Sequence, residues 1–298
     1  MLLQQLINGF TLGFIYALIA LGYTMVYGIV RLINFAHGDM LMIGAYTGFF
    51  VLNAFGATPS TLVLSLFVSM FVCAIIGVAL ERFLYKPLRN APRINILIVA
   101  IGASLLIENG SRIIPFMGPN PREYPQLESS VQIFKPFGQR IVISKQDIIV
   151  IVVSIVMMAV LGYVVKFTKI GKAMRAVSQD RGAASLMGIN VNRIISFTFA
   201  IGSAMAAVAG VLFASKYPQV QPYMGILPGL KAFVAAVLGG IGSIPGAMLG
   251  GIILGITEIL AKAYISSKMA DAVVFGILVL ILMVRPTGIM GKSLKEKV

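Results

Sequence analysis

From Leu6 to Val30 the chain reads LINGFTLGFIYALIALGYTMVYGIV, 25 residues without one charged side chain. A helix needs about 20 such residues to cross roughly 30 Å of hydrocarbon, so this stretch predicts a membrane span. A cleaved signal peptide is the weaker expectation. Met1 leads straight into apolar sequence, with no basic leader and no clear small-residue cleavage site.

The same texture recurs outward from this stretch. Further apolar segments are predicted at Met40–Phe55, Thr61–Tyr85, Ile94–Pro115, Ile148–Phe167, Ile194–Ser215, Leu230–Ile241, Gly246–Tyr264 and Ala272–Val284. Composition agrees: 58% of residues are hydrophobic and 11% charged, where a soluble domain carries about 25% charged residues. The expected fold is all-α, a polytopic bundle of about eight transmembrane helices forming one domain over residues 1–298. Leu230–Ile241 is too short to span and Met40–Phe55 is marginal, and both are flanked or interrupted by glycine. They are expected to be interrupted or re-entrant helices lining a protein cavity, because irregular backbone facing lipid would leave its polar groups unpaired.

The net charge of +14 is concentrated between apolar runs, which speaks for cytoplasmic loops and against nucleic-acid binding. Arg82, Lys86, Arg89 and Arg93 follow the third segment; Lys166, Lys169, Lys172, Arg175, Arg181 and Arg193 follow the fifth. Both clusters, and the tail with Arg285, Lys292, Lys295 and Lys297, are placed inside, which puts the N-terminus and the loop Phe116–Gln146 outside. That loop strains the rule, since Arg122, Lys135, Arg140 and Lys145 accompany Glu123 and Glu128. Cys73 and His37 are each the sole residue of their kind, so no disulfide framework or multi-histidine metal site is expected. The 16 methionines are scattered through apolar faces and read as packing.

Two short frames echo each other. Gly38-Asp-Met-Leu-Met-Ile-Gly44-Ala45 and Gly240-Ile-Gly-Ser-Ile-Pro-Gly246-Ala247 share a Gly-x5-Gly-Ala spacing at the head of an apolar helix in each half. Transporters carry paired interrupted helices at corresponding positions of two repeats, with the permeation path between them. His37 and Asp39 flank the first break; they are read as pairing with each other, capping the following helix, or facing a path. Glu108 with Arg112, and Glu258 with Lys262, have the i, i+4 spacing of structural ion pairs.

The stretch Lys166–Arg193 reads KFTKIGKAMRAVSQDRGAASLMGINVNR. Within it Gly182–Gly188 forms a short amphipathic helix with a glycine stop. Ala183 and Ala184 give it a low profile, and Leu186, Met187 and Ile189 supply apolar knobs, a shape suited to docking in a groove of a soluble partner. The tail Pro286–Ser293 imitates the end of a P-loop, but it lacks the first glycine and follows a membrane helix, so no nucleotide site is expected.

The Lys166–Arg193 stretch resembles the "EAA---G" coupling loop of ABC-importer permeases, with Gly182 in place of Glu and no clear "I-LP" tail after Gly188. Around it, GFIYALIALGYTMVY (13–27), INFAHGDMLMIGAY (33–46), AMAAVAGV (204–211), KAFVAAVLGGIGSIPGAMLG (231–250) and RPTG (285–288) extend the likeness to nearly the full chain. The chain looks like the branched-chain amino acid permease family, most of all its LivH-type subunit.

That resemblance implies a non-enzymatic permease of the bacterial cytoplasmic (inner) membrane, without a cofactor. Its implied partners are a second permease subunit, two cytoplasmic ATPases and an extracytoplasmic solute-binding protein, with leucine, isoleucine and valine as cargo. Arg175, Ala183, Ala184 and Gly188 would then serve ATPase coupling, and His37, Gly38, Asp39, Gly44, Gly240 and Gly246 the translocation path. Urea, amides or other amino acids are the alternative cargo, and an ion-coupled carrier using Asp39, Glu108 or Glu258 is the rival mechanism. One histidine, one cysteine and no clustered carboxylates offer no catalytic set. Replacing Gly188 by a bulky residue is expected to uncouple ATP hydrolysis from uptake; unchanged uptake in vesicles would contradict the coupling assignment.

Overall fold

A computed structural model describes residues 2–30, 34–89, 91–127, 131–134 and 141–291. The basic tail from Lys292 and the loop charges Glu128, Lys135 and Arg140 lie outside the described residues. The helices, in chain order, are α1 (Leu2–Val30), α2 (His37–Phe55), α3 (Pro59–Leu80), α4 (Arg93–Ile113), α5 (Lys145–Phe167), α6 (Lys169–Gln179), α7 (Arg181–Leu186), α8 (Val191–Lys216), α9 (Ile226–Gly239), α10 (Ile244–Tyr264) and α11 (Ala270–Val284). A π-helical turn, Glu81–Tyr85, extends α3. Among the described residues seven helices are long and apolar enough to cross a bilayer: α1 to α5, α8 and α10. The apolar helices α9 and α11 are shorter, 14 and 15 residues.

Every predicted segment is helical, and α2, with 19 residues, reaches spanning length. Four short strands accompany the helices: β1 (Arg122–Glu123) pairs antiparallel with β4 (Gln219–Val220), and β2 (Val131–Phe134) with β3 (Ile141–Ser144). They belong to connections that fold back across one end of the bundle.

Hydrophilic caps set the ends of the helices. Thr58 and Thr61 form a capping box at α3, Ser144 and Asp147 another at α5. Thr168, Asp180, Asn190 and Ser243 each accept a backbone N–H at the start of α6, α7, α8 and α10. Such a cap satisfies one of the four donors that a helix start leaves unpaired. By contrast α2 and α9 begin at Ala36 and Gly225 without a side-chain cap.

Side contacts fix the two faces. Gln4 exchanges hydrogen bonds with Val142 of β3, so the start of α1 lies with the 114–144 connection. At the other end Arg181 donates to the carbonyl of Val30, and Arg89 to Asn192 at the head of α8. The basic connectors therefore share one face, opposite the N-terminus of α1, as the charge pattern predicts.

The core is built around α1: 83% of its most apolar stretch is buried, against 22% for α5 on the periphery. Its packing carries an internal symmetry. Helix α1 packs on α10 as α8 packs on α3; α2 lies on α8 and α3 as α9 lies on α1 and α10. Exchanging α1, α2 and α3 for α8, α9 and α10 thus reproduces the contacts. The seam between the two halves is glycine against glycine. A Cβ on Gly22 would meet the Gly202 carbonyl oxygen at 2.9 Å, and one on Gly38 the Gly225 carbonyl oxygen at 2.7 Å. Across the seam Gly38 meets Gly225, and the Gly240–Ala247 frame singled out by its spacing sits elsewhere, at the turn joining α9 to α10.

Depth follows from helical rise. Gly48 lies against the Tyr124 hydroxyl at the end away from the basic connectors, and ten residues at 1.5 Å each put Gly38 about 15 Å deeper. Both α2 and α9 therefore start inside the bundle, and their first turns meet there.

Close approach also binds α1 to α10. Gly9, Gly13 and Ala17 face Gly251, Ile252, Gly255 and Ile256, and a Cβ on Gly255 would sit 2.3 Å from the Gly13 backbone. Small residues at such a spacing let dispersion forces act between helices that lipid would otherwise solvate equally well. Gly255→Leu should therefore destabilise the protein by on the order of 1–3 kcal/mol, read as a lower unfolding midpoint in mild detergent. Gly276→Leu, where nothing lies within 4 Å of an added Cβ, should leave the midpoint unchanged.

Candidate translocation cavity and coupling helix

Where the first turns of α2 and α9 meet, a cavity of about 310 Å³ opens against α4. Its walls are mostly apolar, with Phe35, Ile101, Leu105, Leu230 and Phe233 around the backbone of Gly38, Gly225 and Gly229. At one side the Asp39 carboxylate accepts from Ser104 Oγ at 2.6 Å, and the Glu108 carboxylate lies 3.5 Å from the same oxygen. Among the described residues neither acid has a salt bridge, although each is buried.

The six residues expected on the path separate here. Gly38 and Asp39 line the cavity. His37 turns away: its ring packs on Gly22 and edge-on to Tyr23 at 4.5 Å. It neither pairs with Asp39 nor caps α2. Gly44 packs on Ala207 of α8. Gly240, with φ +102°, and Gly246 stand at the turn joining α9 to α10, where the backbone N–H groups of Ile289 and Met290 donate to Leu238 and Gly239. The two residues after RPTG thus finish the C-terminus of α9.

The expected Glu108–Arg112 pair does not form. Tyr223 draws the Arg112 guanidinium instead, accepting a hydrogen bond at 2.7 Å and presenting its ring face at 5.4 Å. Glu108 points along α4 to Ser104. Residues that the sequence reading missed, Tyr23, Ser104, Gly225 and Gly229, come to the cavity from three different helix neighbourhoods. The Gly/Pro punctuation of Tyr223-Met-Gly-Ile-Leu-Pro-Gly229 was the one available signal.

On the other side of α9 the charges are fully paired. Glu258 accepts from Lys231 at 2.8 Å, Lys262 at 2.7 Å and the Tyr16 hydroxyl at 2.8 Å. Lys231 also reaches Asp271 at 2.7 Å. The Glu258–Lys262 pair matches its i, i+4 spacing; Lys231, set in an apolar segment, joins α9 to α10 and α11.

The coupling segment lies on the basic face. Asp180 accepts the N–H groups of Gly182 and Ala183 at 2.7 and 3.0 Å, starting α7. The helix stops at Gly188, whose φ of +80° a glycine adopts without strain. Ala184 is buried, Ala183 is exposed, and Leu186 and Met187 stand out at 91% and 83% exposure. Arg175 of α6 donates to the carbonyls of Val165 and Lys166, closing the C-terminus of α5.

Many membrane crossings, interrupted helices around an internal cavity and a docking-shaped helix on the basic face define a polytopic transport permease. Residues 5–283 match the family described as branched-chain amino acid transport system / permease component. The chain is 46% identical to the high-affinity branched-chain amino acid transport system permease protein LivH of Escherichia coli K12, over 99% of this chain and 97% of that one. It is 44% identical to the LivH protein of Salmonella typhimurium over the same shares. With the corresponding permease protein BraD of Pseudomonas aeruginosa it shares 42% identity, over 99% and 98% of the two chains. The chain belongs to this family: it is a multi-pass inner-membrane transport component, and not an enzyme.

The paired charges give a prediction. Lys231→Met alone leaves Glu258 with Lys262 and Tyr16, and should cost little stability. Lys231→Met with Lys262→Met strands a buried carboxylate, for a loss of about 3–5 kcal/mol. Unfolding midpoints in detergent should show the double change costing more than the sum of the single ones.

Proposed function

We propose that this chain is the permease subunit of an ATP-driven importer of leucine, isoleucine and valine, acting as one transmembrane domain. The observation that carries the reading is α7: a capped helix on the basic face, with Leu186 and Met187 exposed at its tip beside Ala183. Apolar knobs over a flat small-residue base suit a groove on a soluble ATPase. Two such ATPases, a second permease subunit in heterodimeric pairing and an extracytoplasmic binding protein complete the assembly. The high-affinity branched-chain amino acid systems named for the relatives support this cargo.

The cavity suits a small amphipathic solute. Its apolar walls take a branched side chain. Asp39 and Glu108, without a cation of their own, face an ammonium group; the uncapped starts of α2 and α9 present N–H groups and the positive end of the helix dipole to a carboxylate. ATP binding closes the ATPase pair, α7 moves with it, and the attached helices change which face the cavity opens to. The shared Ser104 between two carboxyls is also what an ion-coupled carrier would offer; that reading requires uptake to stop when the ion gradient is collapsed at constant ATP.

The test is capture of the tagged chain from mild detergent with its partners expressed, followed by mass spectrometry. A second permease and two ATPases are expected with it. Leu186→Glu with Met187→Glu should remove the ATPases, by at least about tenfold, while the second permease and the unfolding midpoint stay as they are. Recovery of the native chain alone would turn the assignment toward the ion-coupled carrier.

A further inference from the structure

The packing divides the chain's core into two units. In the first, α1 is locked to α10 by the Gly13/Gly255 approach, and α9 is held to α10 by Lys231–Glu258 and by backbone contact of Gly239 with Gly246. In the second, α2 is seated on α8 through Gly44 and Gly210, and α3 on α8 through Gly77 and Ser203. Ser69 and Cys73 of α3 also donate to the Gly44 and Met40 carbonyls of α2. The units touch along α1 and α8, at Gly22/Gly202, at Gly38 with Gly225 and Gly229, and where the His37 ring of α2 packs on Gly22 and Tyr23 of α1. The cavity opens at this seam, with Tyr23, Gly229 and Phe233 from one unit and Gly38 and Asp39 from the other.

The coupling helix is attached to both. Through Gly188 and Ile189 it runs directly into α8, and the N–H groups of these two residues bind back to Ser185 and Ala184. Its first residue, Arg181, reaches the other unit: the guanidinium donates to the Val30 carbonyl at 2.7 Å and to that of Ile29 at 3.4 Å, at the C-terminus of α1. A cation at this end also meets the negative pole of the α1 dipole. Both bonds come from one guanidinium nitrogen, Nη2.

We propose that Arg181 is the strut that carries movement of the coupling helix to α1, and so to the α1–α9–α10 side of the cavity. This rests on the importer reading above. A push on α7 that reached only α8 would move one wall of the seam. With Arg181 in place the same push acts on both walls, and the contact between Gly38 and Gly225 is where the resulting change of angle is felt. Arg181 is a positioning residue: it touches no cargo and lies away from the exposed Leu186–Met187 tip.

The test uses the complex reconstituted with its ATPases and binding protein, and reads leucine imported per ATP hydrolysed. Arg181→Ala should still capture both ATPases and hydrolyse ATP, while leucine per ATP falls about tenfold; Arg181→Lys should recover part of it. An unchanged ratio in Arg181→Ala, with or without a lower unfolding midpoint, makes the bond merely structural and overturns the proposal. Should Arg181→Ala fail to accumulate, Val30→Cys with Arg181→Cys, joined by a thiol crosslinker of arginine's reach, decides it. Retained uptake supports a strut moving as one body with α1, and arrested uptake overturns it. Failure of the native chain to capture ATPases at all overturns the importer reading, and the strut with it.

Discussion

Hydrocarbon offers no partner to a backbone N–H, and the starts of α2 and α9 are where this constraint acts hardest. Both begin inside the bundle, without a side-chain cap, and first turns of this kind survive in a membrane only when enclosed by protein. The close contact of Gly38 with Gly225 and Gly229 provides the enclosure, since any side chain there would hold the two backbones apart. Much of the architecture follows. Helices α1 and α8 must cross directly behind the junction, which is why Gly22 and Gly202 meet and why α1 is so deeply buried.

The charges divide by what surrounds them. Around Glu258, two lysines and a tyrosine hydroxyl leave the carboxylate fully paired, and Asp271 gives Lys231 a second partner. At the basic face Glu81 is held by Arg89 and by the Ser196 hydroxyl, fastening the π turn after α3 to the head of α8. These sets join helices. Asp39 and Glu108 share one serine hydroxyl and face a cavity, with no salt bridge to either among the described residues. Membrane-buried acids are expensive to keep, and those without a structural partner are the ones to associate with a path.

Glycine contacts also shape how the protein can move. Flat, closely packed faces such as α1 on α10 resist separation but offer little to interlock side chains across a seam. The seam contacts Gly22/Gly202 and Gly38/Gly225 are of the same flat kind, with the His37 ring crossing between α2 and α1, while the bonds within each half are reinforced by ion pairs or side-chain hydrogen bonds.

The sequence by itself determined the membrane class, the run of apolar helices, the basic face, the short coupling helix with its glycine stop, and the Glu258–Lys262 pair. Each of these depends on neighbours a few residues apart: hydropathy over a window, a cap and its first turn, an i, i+4 spacing. Tertiary structure alone decided that Gly38 meets Gly225 and not Gly240, that Arg112 goes to Tyr223, that Lys231 completes the Glu258 network, and that Asp39 finds Ser104 and Glu108. Those partners lie tens to more than a hundred residues away, and many glycine frames in a glycine-rich chain share the same spacing. Only the packing of whole helices, governed by the need to bury interrupted backbone, selects which of them come into contact.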